Sequence, residues 1–252
     1  MKIRNAFLAL LLTALAATSI SARAGGAAGA PQPQQQAQQQ QPPQQQAQAP
    51  AFQPPQAPNR WEPEIQKFEE QDKQNPPPKH GIVFVGASSI VRWNLADSFP
   101  DLKDAVNRGF GGSEMADSAK YASRVVVPYA PRIVVLYPGE NDIARGTTPE
   151  TVGAGFIKFY TTVHTALPNT RIIAIGLKPT PVRWHLNDRL IEANTLIRSY
   201  CKSHSHCVYL DVSPPMLGSD GKPKPELFIA DGQHMTPEGY KVWTRLIRPY
   251  LN

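Results

Sequence analysis

Cysteine is scarce in this chain: 252 residues contain two, too few for a small scaffold built on disulfides. Sustained apolar runs are missing everywhere except in the first segment, which excludes a multispan membrane protein. Basic clusters are missing as well. No basic run exceeds a pair, and Lys and Arg are scattered among acids, whereas a DNA or RNA binder carries a clustered basic stripe. The formal charge of +6, from 26 Lys and Arg against 20 Asp and Glu, owes half its size to the N-terminus. Lys2, Arg4 and Arg23 lie in the first 24 residues with no acid beside them, so the remaining chain has 23 basic residues against 20 acidic. No nucleic-acid partner is expected from that balance.

Three segments follow. Residues 1–24 open on the basic MKIR, continue through an apolar stretch from Ala6 to Leu15 and end in the small-residue pattern Ala22-Arg23-Ala24. The stretch is too short for a full span and has the length of a secretory core, so a signal peptide cleaved after Ala24 is expected. An uncleaved anchor is the lesser reading, and no cysteine near the site supports lipid modification. The expected location is periplasmic or secreted, with no stable membrane insertion after cleavage. Residues 25–60 are Gly/Ala and then Pro/Gln, including PQPQQQAQQQQPPQQQAQAP. With almost no apolar mass to offset the entropy of ordering, this segment reads as a disordered, semi-stiff spacer.

From Trp61 to Asn252 the chain is long enough for one α/β domain. Trp61, Ile65 and Phe68 fall at helical spacing and predict a helix over 61–73, before the PPP at 76–78. Short β-branched runs then alternate with helix-like stretches. The runs are IVFVG (82–86), DAVN (104–107), RIVVLY (132–137), RIIAIG (171–176) and VYLDV (208–212). Helical intervals are expected over 113–125, 149–167, 185–202 and 236–251, the last with Thr236 as N-cap and Pro237 at N1. This βαβ pattern implies a buried five-stranded parallel sheet in a three-layer α/β/α sandwich, with ligands bound beyond the carboxyl ends of the strands.

Four loops at those ends carry chemistry-bearing residues. The first strand runs into Gly86-Ala87-Ser88-Ser89, placing a serine on a tight strand-to-helix turn, where it serves either as a nucleophile among backbone N–H groups or as a helix cap. NRGFGGS (107–113) has three glycines that permit close backbone approach; alone it also reads as an ordinary turn or a phosphate cradle. YPGENDIARG sets the Asn141 amide just past a buried strand, as an oxyanion donor or a turn cap. DGQH (231–234) puts a carboxylate three residues before an imidazole, a spacing that lets Asp231 hold one ring nitrogen while the other faces a nucleophile, or lets Asp231 cap the last helix.

Taken in order, G-A-S, the glycine of G-G-S, G-E-N-D and D-G-Q-H resemble the four blocks of the SGNH hydrolases, the GDSL-type esterases and lipases, over about residues 80–250. The resemblance implies a flavodoxin-like α/β/α fold and an esterase needing no cofactor. It implies Ser88 as nucleophile, His234 as general base, Asp231 as its orienter, and the Ser88 and Gly112 N–H groups with the Asn141 side chain as oxyanion donors. Ala87 stands where the family often has Asp; Ser88, two residues after Gly86, keeps the family spacing. The implied partner is a small-molecule, glycan or lipid ester, such as an acetylated or short-acyl sugar. An O-acyltransferase with the same residues and a non-enzymatic ligand-binding module of the same fold are the alternatives. KPTPVRW (178–184) resembles a Lys-Pro segment of one branch of the family, whose prolines, Arg183 and Trp184 would wall the pocket or form a rigid loop.

Cys201 and Cys207 bracket CKSHSHC. In an oxidising compartment they predict a local disulfide. A metal site from Cys201, His204, His206 and Cys207 is the competing reading, disfavoured because one seven-residue loop would have to supply every ligand. No metal and no cofactor are expected.

Overall fold

A computed structural model describes residues 59–252. The export signal expected over 1–24, and the spacer expected over 25–60 except its last two residues, lie outside the described residues. Five strands form one sheet: β1 (Ile82–Gly86), β2 (Ala105–Gly109), β3 (Ile133–Tyr137), β4 (Arg171–Ile175) and β5 (Cys207–Leu210). Their order is β2-β1-β3-β4-β5 and every pairing is parallel.

The strands read as continuous apolar runs because both faces are covered, and alternate side chains divide between two cores. Val83, Val85, Val134, Leu136, Ile172 and Ala174 face one core, closed by α1 (Glu62–Gln74), α4 (Met115–Val125), α6 (Pro149–Ala166) and α7 (Asn187–Lys202). Ile82, Phe84, Ile133, Val135, Tyr137 and Ile173 face the other. That side is closed by the short helices α2 (Ser88–Val91), α3 (Leu95–Ser98) and α8 (Ser213–Met216) and by α9 (Pro237–Ile247). Another single-turn helix, α5 (Asn141–Ala144), follows β3. Helix α9 starts as its sequence dictates, with Pro237 at N1 and the Thr236 hydroxyl accepting from the Gly239 N–H at 3.3 Å.

Two strands depart from the sequence expectation by more than one residue at an end. The run expected over 104–107 is a strand over Ala105–Gly109, because Asn107, Arg108 and Gly109 pair in register with Phe84, Val85 and Gly86. Their polar side chains hide the strand: Asn107 donates to the Ile90 carbonyl at 2.7 Å, and the buried Arg108 is bound by Asp72 and Tyr129. The last strand covers Cys207–Leu210 rather than 208–212, since the Asp211 carboxylate turns to accept from the Ser213 N–H at 3.0 Å. The helix expected over 185–202 begins at Asn187 behind a single 3₁₀ turn, Trp184–Leu186. The one expected from 113 begins at Met115, behind a capping box of Glu114 and Asp117.

The strand order places the site. The chain leaves β1 toward β2 on one side and returns to β3 on the other, so the crevice beyond the carboxyl ends of β1 and β3 is the topological switch point. Gly86 pairs with Gly109 on one neighbour and Tyr137 on the other, which brings the loops after all three strands to one place.

Candidate active site

β1 ends at Gly86 with φ of 140°, and a Cβ there would lie 2.0 Å from the Tyr137 carbonyl oxygen. Only glycine lets the chain turn this close to β3. Ala87 occupies the N-cap and Ser88 opens α2, half-buried, while Ser89 is buried and its carbonyl accepts from the Tyr240 hydroxyl at 2.9 Å. The structure brings Ser88, not Ser89, to the histidine: His234 Nε2 lies 2.9 Å from Ser88 Oγ. On the other side of the ring, Nδ1 lies 2.6 Å from Asp231 Oδ2. The loop that carries this pair turns at Gly232, with φ of 63°, and is closed by a hydrogen bond from the Ile229 N–H to the His234 carbonyl at 2.8 Å.

Asp231 Oδ1 accepts from the Gln233 and His234 N–H groups, both at 2.8 Å. Desolvation pushes the Asp231 carboxyl up, but the hydrogen bonds from the His234 ring and from these two N–H groups outweigh it and bring it down to about 2. An ionised carboxylate only accepts, so Nδ1 carries a proton, and in the neutral ring Nε2 is then the acceptor toward the serine hydroxyl. That tautomer is the one a general base requires.

The opposite wall comes from the loops after β2 and β3. Gly112 has φ of 78° and its carbonyl accepts from Arg145 at 3.1 Å. Asn141 opens α5 with its side chain buried. Its Nδ2 donates to the Ser113 carbonyl at 3.0 Å, which ties the two loops together, and the second amide hydrogen has no hydrogen-bond partner among the described residues. Gly139 permits the approach of this loop to the nucleophile turn, since its Cβ would lie 2.9 Å from that of Ala87.

The sequence marked the segment 178–184, with Arg183 as a pocket wall or part of a rigid loop, but did not join it to Glu140 in the charged group beneath Asn141. Glu140 and Lys178 are buried and paired, with Lys178 Nζ 2.9 Å from Oε1, and Arg183 lies 3.3 Å from the same oxygen. Tyr137 donates its hydroxyl to Oε2. Burial opposes ionisation of Glu140, yet the charges of Lys178 and Arg183 outweigh it and hold the carboxyl below its usual range. Of the segment 178–184, Lys178 and Thr180 are fully buried; the Val182 N–H donates to the Gly232 carbonyl at 3.2 Å, and Arg183 reaches Asn141 Oδ1 at 3.2 Å. This loop therefore touches both walls of the site. A lysine three residues past an apolar strand, with a glutamate three residues past another, was the available signal.

A cavity of about 670 Å³ lies between α3 and α9, lined by Arg92, Ile229, Met235, Tyr240 and Arg245 among others, and none of Ser88, Gly112, Asn141, Asp231 and His234 lines it. Arg92 is one helical turn from Ser88 and Met235 directly follows His234. Cys201 and Cys207 are joined through their sulfurs at the amino end of β5, the sheet edge opposite the site, so that loop presents no thiolate to a metal.

A hydroxyl within hydrogen-bond reach of an imidazole nitrogen, a carboxylate behind the ring and a buried side-chain amide on a neighbouring strand-end loop are parts that a serine acyl-transfer site needs. The model of the GDSL-like lipase/acylhydrolase family matches residues 85–242, and the chain belongs to that family. The human platelet-activating factor acetylhydrolase IB subunit alpha1 is 26% identical over 145 residues. The match takes in 56% of this chain and 62% of that protein, so less than two thirds of the relative is spanned. A GDSL-like lipase from Bacteroides thetaiotaomicron superposes with a TM-score of 0.64 at 20% identity, covering 74% of this chain and 96% of that one. An acetyl-xylooligosaccharide esterase from Geobacillus superposes with a TM-score of 0.57 at 12% identity, covering 70% and 96%. These structures share the five-stranded α/β fold.

Proposed function

We propose that this chain is an exported serine esterase that hydrolyses carboxylic esters of short-acyl sugars or of lipids through an acyl-enzyme. The observation that carries the reading is the continuous line from Asp231 through His234 to Ser88 Oγ, with contacts of 2.6 and 2.9 Å, at the switch point of the sheet. His234 Nε2 takes the Ser88 proton as Oγ attacks the ester carbonyl. Oxyanion charge then develops toward the Asn141 amide and the Gly112 and Ser88 N–H groups. The imidazolium returns its proton to the leaving alcohol as the C–O bond breaks. Water repeats the sequence and releases the acid.

Family membership supports hydrolysis of an acyl group. The acetylxylan esterase from Geobacillus stearothermophilus adds support for the roles, since catalytic mutants of that enzyme alter a serine, an aspartate and a histidine three positions after the aspartate. Two measurements test the reading. On p-nitrophenyl acetate, Ser88→Ala is expected to lower kcat by roughly 10⁴-fold or more; a protein within tenfold of the parent would overturn the assignment. For export, the mature N-terminus of protein recovered outside the cytosol is expected at Gly25.

A further inference from the structure

The amide of Asn141 can stand in two orientations that differ by exchange of oxygen and nitrogen, and only one offers a hydrogen to an oxyanion. Two neighbours decide between them. Arg183 Nη1, which can only donate, lies 3.2 Å from Oδ1, and the Ser113 carbonyl, which can only accept, lies 3.0 Å from Nδ2. Exchanging the ends would set the amide nitrogen against the guanidinium and the amide oxygen against a carbonyl, two repulsive contacts in a buried place. Arg183 is itself held. Its Nη1 also lies 3.3 Å from Glu140 Oε1, and Glu140 is fixed by the fully buried Lys178 and by the Tyr137 hydroxyl. The guanidinium thus reaches Asn141 from a rigid base, and its charge at the oxygen end of the amide draws electron density away from the N–H end.

We propose that Arg183 is a positioning residue that fixes the orientation of the Asn141 amide, and so directs its free N–H to the oxyanion, with the buried Glu140–Lys178 pair as its anchor. This inference rests on the reading of Asn141 as an oxyanion donor. Arg183 acts through Asn141 and not on the ester itself, which separates this role from that of a pocket wall or a receptor for an anionic substrate.

A double-mutant cycle on an uncharged ester, p-nitrophenyl acetate, tests the proposal. Arg183→Gln in the parent is expected to lower kcat about 10- to 100-fold, the scale of a misplaced catalytic group, with KM within about twofold and with partial recovery in Arg183→Lys. In the Asn141→Ala background the same substitution is expected to change kcat by less than about twofold. Equal losses in both backgrounds, or a rise in KM alone, would overturn the positioning role. A second readout does not depend on activity. The Asn141 side-chain amide resonance, assigned by its loss in Asn141→Ala, is expected to shift and broaden in Arg183→Gln, and an unmoved resonance would overturn the proposal. If Asn141→Ala keeps full activity while the resonance still moves in Arg183→Gln, the oxyanion reading fails and the orienting contact stands.

Discussion

On one side of Ser88 stands Asp231, whose side chain is 42% exposed; on the other stands Glu140, whose side chain is 4% exposed. Both carboxyls lie below their usual range, by different means. Asp231 is stabilised by hydrogen bonds from a ring nitrogen and two backbone N–H groups, and Glu140 by two cations. The difference follows from what each holds. In the proposed mechanism the imidazole of His234 changes charge during turnover, and its partner sits where water can screen the cycle. The amide of Asn141 must not change at all, so its support is a buried charge pair that is costly to disturb.

Of the substitutions that separate the two carboxyls, Asp231→Asn should give the larger catalytic loss, about 10⁴-fold in kcat, by favouring the wrong tautomer of His234. Its thermal midpoint should barely move, because the residue is exposed. A large drop in Tm with modest kinetic loss would assign Asp231 to the fold instead. Glu140→Gln should show the reverse balance. It leaves the Lys178 ammonium buried without a full counter-charge, and chemical denaturation should report a loss of about 3–5 kcal/mol. Little change in stability would mean that the pair is not fixed as described. Asn141→Ala comes next, with kcat down roughly 10²–10³-fold if it donates to an oxyanion, measured on the same ester as the other variants.

Asp142 sharpens the comparison, since it is buried next to the same loop with no ion pair to a cation among the described residues. Burial, with the Glu114 and Asp117 charges adding, pushes its carboxyl up to about 7 against the hydrogen bond from the Met115 N–H. Its pKa is raised on folding, so its contribution to stability is full below about pH 4 and is lost as pH rises through about 7. Asp142→Asn should therefore flatten the fall in unfolding free energy between about pH 4 and about pH 7. An unchanged slope would place the titrating group elsewhere.

The sheet was legible because strands buried on both faces have few polar residues, as IVFVG and RIVVLY show. Strand β2 was misjudged at its end because Asn107 and Arg108 satisfy their polarity through partners distant in sequence, Asp72 among them. The same reason divides the site. Ser88, Asp231, His234, Gly112 and Asn141 stand at strand ends or in short local spacings, and such signals survive in one dimension. Arg183 and Lys178 acquire meaning only by meeting Glu140 and Asn141 across a gap of about forty residues. Gly139 likewise matters through Ala87, whose neighbourhood no local spacing reveals.

The central claim is that one serine is activated and that it is Ser88. Treatment of the folded protein with a fluorophosphonate, followed by intact mass and peptide mapping, tests it most directly. The account predicts a single adduct on Ser88 that disappears in Ser88→Ala and persists in Ser89→Ala. An adduct on Ser89, or none on a folded protein, would contradict it.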